Sequence, residues 1–473
     1  MENSDARLTS PVPKPKLTLA TKLAYGAGDL GAGLTSNLLA FSFLIFLTNV
    51  AGLDPLAAGT VLLIGKIWDA VNDPIVGMLS DRTRTQWGRR YPWIVLTALP
   101  FGIAFFFNWI VPGFATTQVA KFWYYVFISV AFQVFFTTTN LPYSVLTAEM
   151  TQDYDDRTEL TSFRLSFSLA GAVLILAIGL VASQLIADEA QQYAALGAFG
   201  GLVSIGAMAW CVLGTFGHTK RQAEYRGRSL NDQADIDDTP FWQQLKIVFS
   251  NRPFLFVVGI YMFSWLALQI TATIIPYYVT FWMGQDNYFL AALLVQGTAI
   301  IMMFFCSLLS KRIGKKGLYF LGSGVWVLVQ IALFFLQPGD VNLMYGLCVL
   351  ASFGVATAYV VPWSILPDVI ELDELNTGCR REGAFYAFMT LLQKGGLAVG
   401  IFLVSLALKT SGFAEDAAQQ PDAALWAIRF FMGPVPLVLL ICGMILTFFY
   451  PITKEVHAEI MLKLAERKAS DQG

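Results

Sequence analysis

Two acids, Asp69 and Asp73, stand one helical turn apart in the segment Lys66-Ile67-Trp68-Asp69-Ala70-Val71-Asn72-Asp73-Pro74, inside an otherwise apolar stretch from Pro55 to Ser80. A carboxylate at the centre of a bilayer costs roughly 2.5 to 3.5 kcal/mol on insertion scales. At spacing i, i+4 the two lie on one helix face, where like charges repel. A pair kept at that cost needs positive charge between or beside it, so the pattern points to a buried site for a cation or a proton. Hard cations take oxygen ligands. Thr137 and Asn140, in a second apolar stretch, offer a hydroxyl and an amide oxygen.

Depth gathers further polar residues around this pair. At about 1.5 Å per residue, Asp29, Asp69, Asp73, Asn140 and Lys394 all fall near the middle of a hydrocarbon core about 30 Å thick. With Lys66 added, three acids and two lysines leave one negative charge, a vacancy that suits one monovalent cation, Na+ or H+. The alternative is a charge network in which Lys66 and Lys394 only pin helices together. Arg164 sits nearer the end of its stretch and either snorkels to the interface or binds substrate. Tyr143, Tyr359, Trp363 and Tyr386 are the aromatics near the cluster, and each serves either as a stacking surface for a substrate or as ordinary packing.

Composition sets the solvent in which these residues must be positioned. Charged residues make up 14% of the 473, against about 25% in soluble domains, and mean hydropathy is +0.59. Apolar runs of about 20 residues cross a bilayer as helices; twelve such runs are expected between residues 20 and 450. The polar stretch before Leu17, with Pro11, Pro13 and Pro15, does not read as a cleaved signal peptide. Most Lys and Arg fall in alternate loops and the two tails, so both termini are expected in the cytoplasm, with the chain in the plasma (inner) membrane. Five scattered cysteines do not read as a disulfide framework. The two histidines, His218 and His457, lie outside the apolar runs, which argues against a histidine relay or a His-ligated metal within them. No long loop offers room for a catalytic domain and neither tail for a sensor's output domain. The expectations are no enzyme activity, no organic cofactor, a small-molecule substrate, contact with membrane lipid, no nucleic-acid partner and a monomeric chain.

The two halves repeat. Pro142-Tyr143-Ser144-Val145-Leu146 is echoed by Pro362-Trp363-Ser364-Ile365-Leu366, and an acidic then basic segment follows each. This predicts a six-helix half over 1–217, a cytoplasmic linker over 218–245, a second six-helix half over 246–450 and a tail over 451–473. Two parallel six-helix repeats resemble the major facilitator fold: an all-α membrane protein of twelve transmembrane helices. In such a fold Asp81, Arg82, Arg89, Arg380 and Arg381 either form salt bridges that break and reform as the halves rock, or anchor the topology.

Specific segments resemble the glycoside-pentoside-hexuronide:cation symporters, the family of melibiose permease. They are Tyr25-Gly26-Ala27-Gly28-Asp29, Ile67 through Pro74, Trp87-Gly88, Pro92-Trp93-Ile94, Asn140-Leu141-Pro142, Arg164 with Ser168 to Gly171, Asp368, Arg380, Glu382 and Lys394-Gly395-Gly396. The resemblance implies coupling of sugar or glycoside uptake to a cation at Asp69 and Asp73, with Thr137 and Lys394 alongside. It also implies substrate contacts from Asp29, Arg164 and Tyr359. Asn140 replaces the acid that binds galactosides in melibiose permease, and Ser144 replaces a tryptophan, so melibiose itself is not the expected substrate. The sodium-dependent lysophosphatidylcholine symporters are similar in the cation motif, which keeps a lysolipid or other amphiphile open as the substrate; a non-transporting sensor is a further alternative.

Overall fold

A computed structural model describes residues 15–151, 153–225, 249–377, 382–414 and 419–470. All regular structure in these residues is helical. Ten helices are long and apolar enough to cross a membrane. One of them, Phe289–Phe335, turns back at Gly314, whose φ of 73° is a left-handed conformation that only a residue without Cβ adopts freely. It therefore makes two passes. Pro55–Arg82 is 28 residues long and completes the set of twelve, its apolar character diluted by Lys66, Asp69 and Asp73.

The passes are α1 (Leu19–Val50), α2 (Pro55–Arg82), α3 (Tyr91–Asn108), α4 (Gln118–Met150), α5 (Tyr154–Leu185), α6 (Glu189–Tyr225), α7 (Arg252–Trp282), α8 (289–313), α9 (315–335), α10 (Val341–Thr377), α11 (Glu382–Thr410) and α12 (Asp422–Phe449). A tail helix, α13 (Lys454–Ser470), packs against α10. An even number of passes puts both ends of the chain on one side, called here the terminal face. Helix α6 runs on past residue 217, through His218 to Tyr225, because nothing in that stretch breaks a helix. Residues 226–248, most of the expected linker, lie outside the described residues, as do Arg380 and Arg381.

Close approach between helices depends on small residues, as in other membrane bundles. At Gly33 on α1 a Cβ would stand 1.9 Å from the Ser168 carbonyl of α5, so this contact tolerates no side chain. α1 is interrupted at Gly28 and Asp29, whose N–H groups bond back to the carbonyls of Tyr25 and Gly26. The interruption sets Asp29 at the N-terminus of the segment Leu30–Ile45, where the helix dipole favours a carboxylate.

The two halves meet through three helix pairs: α2 with α11, α1 with α7, and α5 with α8. Toward the face opposite the termini they are bonded together. Thr48 and Tyr277 share a hydrogen bond of 2.7 Å, the Tyr288 hydroxyl donates to Ser42 Oγ at 2.8 Å and bonds the Tyr193 hydroxyl at 2.8 Å, and Asn287 Nδ2 donates to Ser183 Oγ at 2.5 Å. Asp54 pairs with Lys409 on the same side. These contacts and the Lys394 pairing tie the two halves together. The bundle is closed at the opposite face.

Candidate functional site

Helix α2 carries Lys66, Asp69 and Asp73 along one face at i, i+3 and i+7. Pro74 lies within the helix; lacking an N–H, it leaves the Ala70 carbonyl without its helical donor beside the acids. Asp69 is 2% exposed, whereas the Asp73 side chain is 32% exposed. Thr137 on α4 sets its hydroxyl between them, 3.0 Å from Asp69 Oδ1 and 3.1 Å from Asp73 Oδ1; its single proton serves one acid at a time. From the other half, Lys394 on α11 brings its ammonium 3.0 Å from Asp69 Oδ2 and 2.5 Å from Asp73 Oδ2. One hydroxyl and one ammonium therefore bridge the pair from two sides. Like charges one turn apart are held by the cation between them, as the spacing demanded.

Asp69 borders a cavity of about 430 Å³ between the halves, within the size range of small-molecule sites. Lys66, Gln133, Gln269 and Gln393 line it beside Trp265 and Tyr359. Tyr359 thus faces the cavity. Trp363, one turn further along α10, is outside it and stacks on Tyr386 with centroids 6.0 Å apart. Asn140 is one turn from Thr137 but turns away from the acids: its Nδ2 donates to the Phe136 carbonyl of its own helix, and its Oδ1 is buried without a partner. Asp29, Arg164 and Tyr143 form a separate node within the N-terminal half. Arg164 Nε lies 3.5 Å from Asp29 Oδ2, and its guanidinium is 6.0 Å from the Tyr143 ring centroid. The Tyr143 hydroxyl is spent on the Tyr25 carbonyl at 2.8 Å.

That node corrects the charge count. The expected surplus of one negative charge included Asp29 and omitted Arg164, which neutralises it. The cluster itself is Asp69 and Asp73 against Lys394 and Lys66, a formally neutral set of which Asp69 and the two lysines line the cavity. In this conformation the Lys394 ammonium already occupies one oxygen of each acid, the oxygens that a cation would need. Two carboxylates and a hydroxyl within hydrogen-bond reach of one another are a donor set suited to Na+.

The family model described as MFS/sugar transport protein matches residues 24–454. The chain belongs to that family. It is 43% identical to an uncharacterized symporter of Synechocystis over 96% of this chain and 98% of that one. It is 28% identical to the sodium-dependent lysophosphatidylcholine symporter 1 of Xenopus tropicalis over 93% and 89%. Among solved structures, a D-xylose-proton symporter matches with a TM-score of 0.61 at 15% identity, covering 91% and 96%, and the nucleoside transporter NupG with 0.62 at 14%, covering 91% and 98%. These two establish the fold. The protein is a multi-pass secondary transporter of the major facilitator superfamily, not an enzyme; its substrate is a small molecule and its symporter relatives imply a coupling ion.

In this transporter the charged loop after α2 works inside one half. Arg90 pairs with Asp81 and donates to Ser80 Oγ at 2.6 Å, while Arg89 reaches Glu149 at 3.2 Å and Arg90 Nε lies 3.7 Å from the same carboxylate. All four charges belong to the N-terminal half, so here they fasten α2 and α3 to α4 and do not bridge the halves. Arg82 is exposed, with no ion pair among the described residues. The C-terminal half has its own fastening, from Lys315 to Asp368 at 2.7 Å and from His457 of α13 to Glu371 at 2.6 Å. Sequence reasoning missed Glu149, Trp265, the cavity glutamines and the whole opposite-face closure. Only the repeat signal, an acid after each Pro-aromatic-Ser turn, pointed toward Glu149.

Proposed function

We propose that this transporter is a symporter of the glycoside-pentoside-hexuronide:cation type, which couples uptake of a sugar or glycoside to Na+ or H+ at Asp69 and Asp73. The observation that carries the reading is the Lys394 ammonium of one half seated between the two carboxylates of the other. A cation arriving at the acids displaces the lysine, frees the halves from each other at mid-membrane and links ion binding to rocking. In this reading the carrier is a monomer with its basic terminal face in the cytoplasm of the inner membrane, and the closed opposite face supports an inward-facing state. The cavity glutamines suit sugar hydroxyls, and Trp265 and Tyr359 offer ring faces for stacking. Asp29 and Arg164 act from behind the cavity wall as a structural pair in this state and reach substrate only if the node opens.

A lysolipid is the second reading, favoured by full-length similarity to lysophosphatidylcholine symporters and by the many apolar residues of the cavity, including Leu62, Phe132, Leu268 and Ile275. The deciding experiment is uptake into proteoliposomes of labelled mono- and disaccharides and of lysophosphatidylcholine, with and without an inward Na+ or H+ gradient. Gradient-driven accumulation of a sugar supports the first reading. Accumulation of the lysolipid alone replaces it with the second.

A further inference from the structure

Helices α2 and α11 run antiparallel across the interface between the halves, and their contacts keep a fixed register. Lys394 meets Asp69 and Asp73 at mid-membrane. Toward the opposite face, a Cβ at Gly59 of α2 would stand 2.3 Å from Ser405 of α11, so the backbones are in close contact there. At the end of the pair, Asp54 at the start of α2 is bonded to Lys409 in the last turn of α11. The ionic rungs are equally spaced on both helices, from 54 to 69 on one and from 394 to 409 on the other, or about 22 Å at 1.5 Å per residue.

Asp54 does two jobs. Its Oδ1 caps α2, accepting from the Leu56 and Ala57 N–H groups at 3.0 and 3.4 Å, while its Oδ2 takes Lys409. The cap fixes the carboxylate at the helix end, so its other oxygen needs little further ordering to hold a lysine from the other half. Opening the opposite face must separate Asp54 from Lys409, whatever the substrate and whichever ion is coupled.

We propose that Asp54 and Lys409 form the opposite-face latch of this transporter, the second rung of a two-rung α2–α11 clasp whose first rung is Lys394 on the acid pair. Cation binding at Asp69 and Asp73 releases the first rung only. The second then sets how readily the opposite face opens, and it keeps that face closed while the acid pair is still held by lysine. Side-chain exposures of 50% for Lys409 and 30% for Asp54 make this a weak latch, one that tilts an equilibrium by about two- to fivefold, as a surface ion pair does. A weak latch suits a carrier that must open in every cycle.

The test reads the conformational equilibrium directly and needs no substrate. Spin labels on cysteines introduced at exposed Val119 and Ala423 report the distance between the halves at the opposite face, in full-length protein with Cys379 and Cys442 replaced by serine. Lys409→Gln should raise the long-distance population about two- to fivefold in Na+. Lys409→Arg should keep the parent distribution, and Asp54→Asn, which retains a capping side chain, should match Lys409→Gln. Lys409→Gln combined with Asp54→Asn should open the face no further than either alone. A parent-like distribution in Lys409→Gln, or full additivity in the double variant, overturns the latch. Either result leaves the symport reading intact, since that reading is decided by uptake.

Discussion

At the residue scale, Asp69, Asp73, Thr137 and Lys394 were legible because a charge in an apolar run is conspicuous and helix geometry fixes its depth. The same depth argument places Asn140 with them. Depth says how far along a helix a residue lies but not which way its side chain turns, and Asn140 turns to the Phe136 carbonyl. Thr137→Val removes the hydroxyl bridging both acids and should weaken Na+ binding about tenfold, the worth of a hydrogen bond to a charged group. Asn140→Ala should leave Na+ binding within about twofold and lower thermal stability slightly. Isothermal titration of both variants checks the contrast, and equal loss in the two would return Asn140 to the site. Asp73→Asn removes a full ligand charge. It should abolish gradient-driven accumulation while counterflow of substrate persists, and undiminished accumulation in vesicles would exclude Asp73 from coupling.

Helices were the easiest elements to read, since an apolar run of bilayer length has few alternatives. Their partners were harder. The charge count failed because Arg164 on α5 and Asp29 on α1 are far apart in sequence, and only packing reveals that they neutralise each other. The same packing makes Lys394 a tie between α2 and α11. If its ammonium competes with the coupling cation, Lys394→Ala leaves two carboxylates uncompensated and open to any cation. The variant should lose stability in choline and regain it in Na+, with the Na+-dependent rise in melting temperature larger, and at lower Na+ concentration, than in the parent. A smaller rise would mean that the lysine helps to hold the cation and is not its rival. Transport should be poor in either case, because the rung that makes ion binding matter to the interface is gone.

For the whole molecule, the six-plus-six architecture followed from the repeated Pro-aromatic-Ser turns and the alternation of basic loops. The conformation did not follow from them. Tyr193, Tyr288, Thr48 and Tyr277 are ordinary residues in sequence, and only the closed structure shows that they bond one half to the other. Alternating access requires those bonds to break in each cycle, so fixing them should stop the carrier without harming its ion site. Ser183 on α5 and Asn287 before α8 touch across the closure, with Nδ2 2.5 Å from Oγ. A cysteine pair at 183 and 287, joined by a short bifunctional thiosulfonate linker, should hold the opposite face shut. Accumulation and counterflow should then fall together to background and recover on reduction, while Na+ binding to the detergent-solubilised, cross-linked protein stays within about twofold of the reduced form, because the acid pair lies outside the locked surface. Transport that survives complete cross-linking would show that the halves do not separate at α5 and α8, and that the closure seen here is not the one the cycle opens.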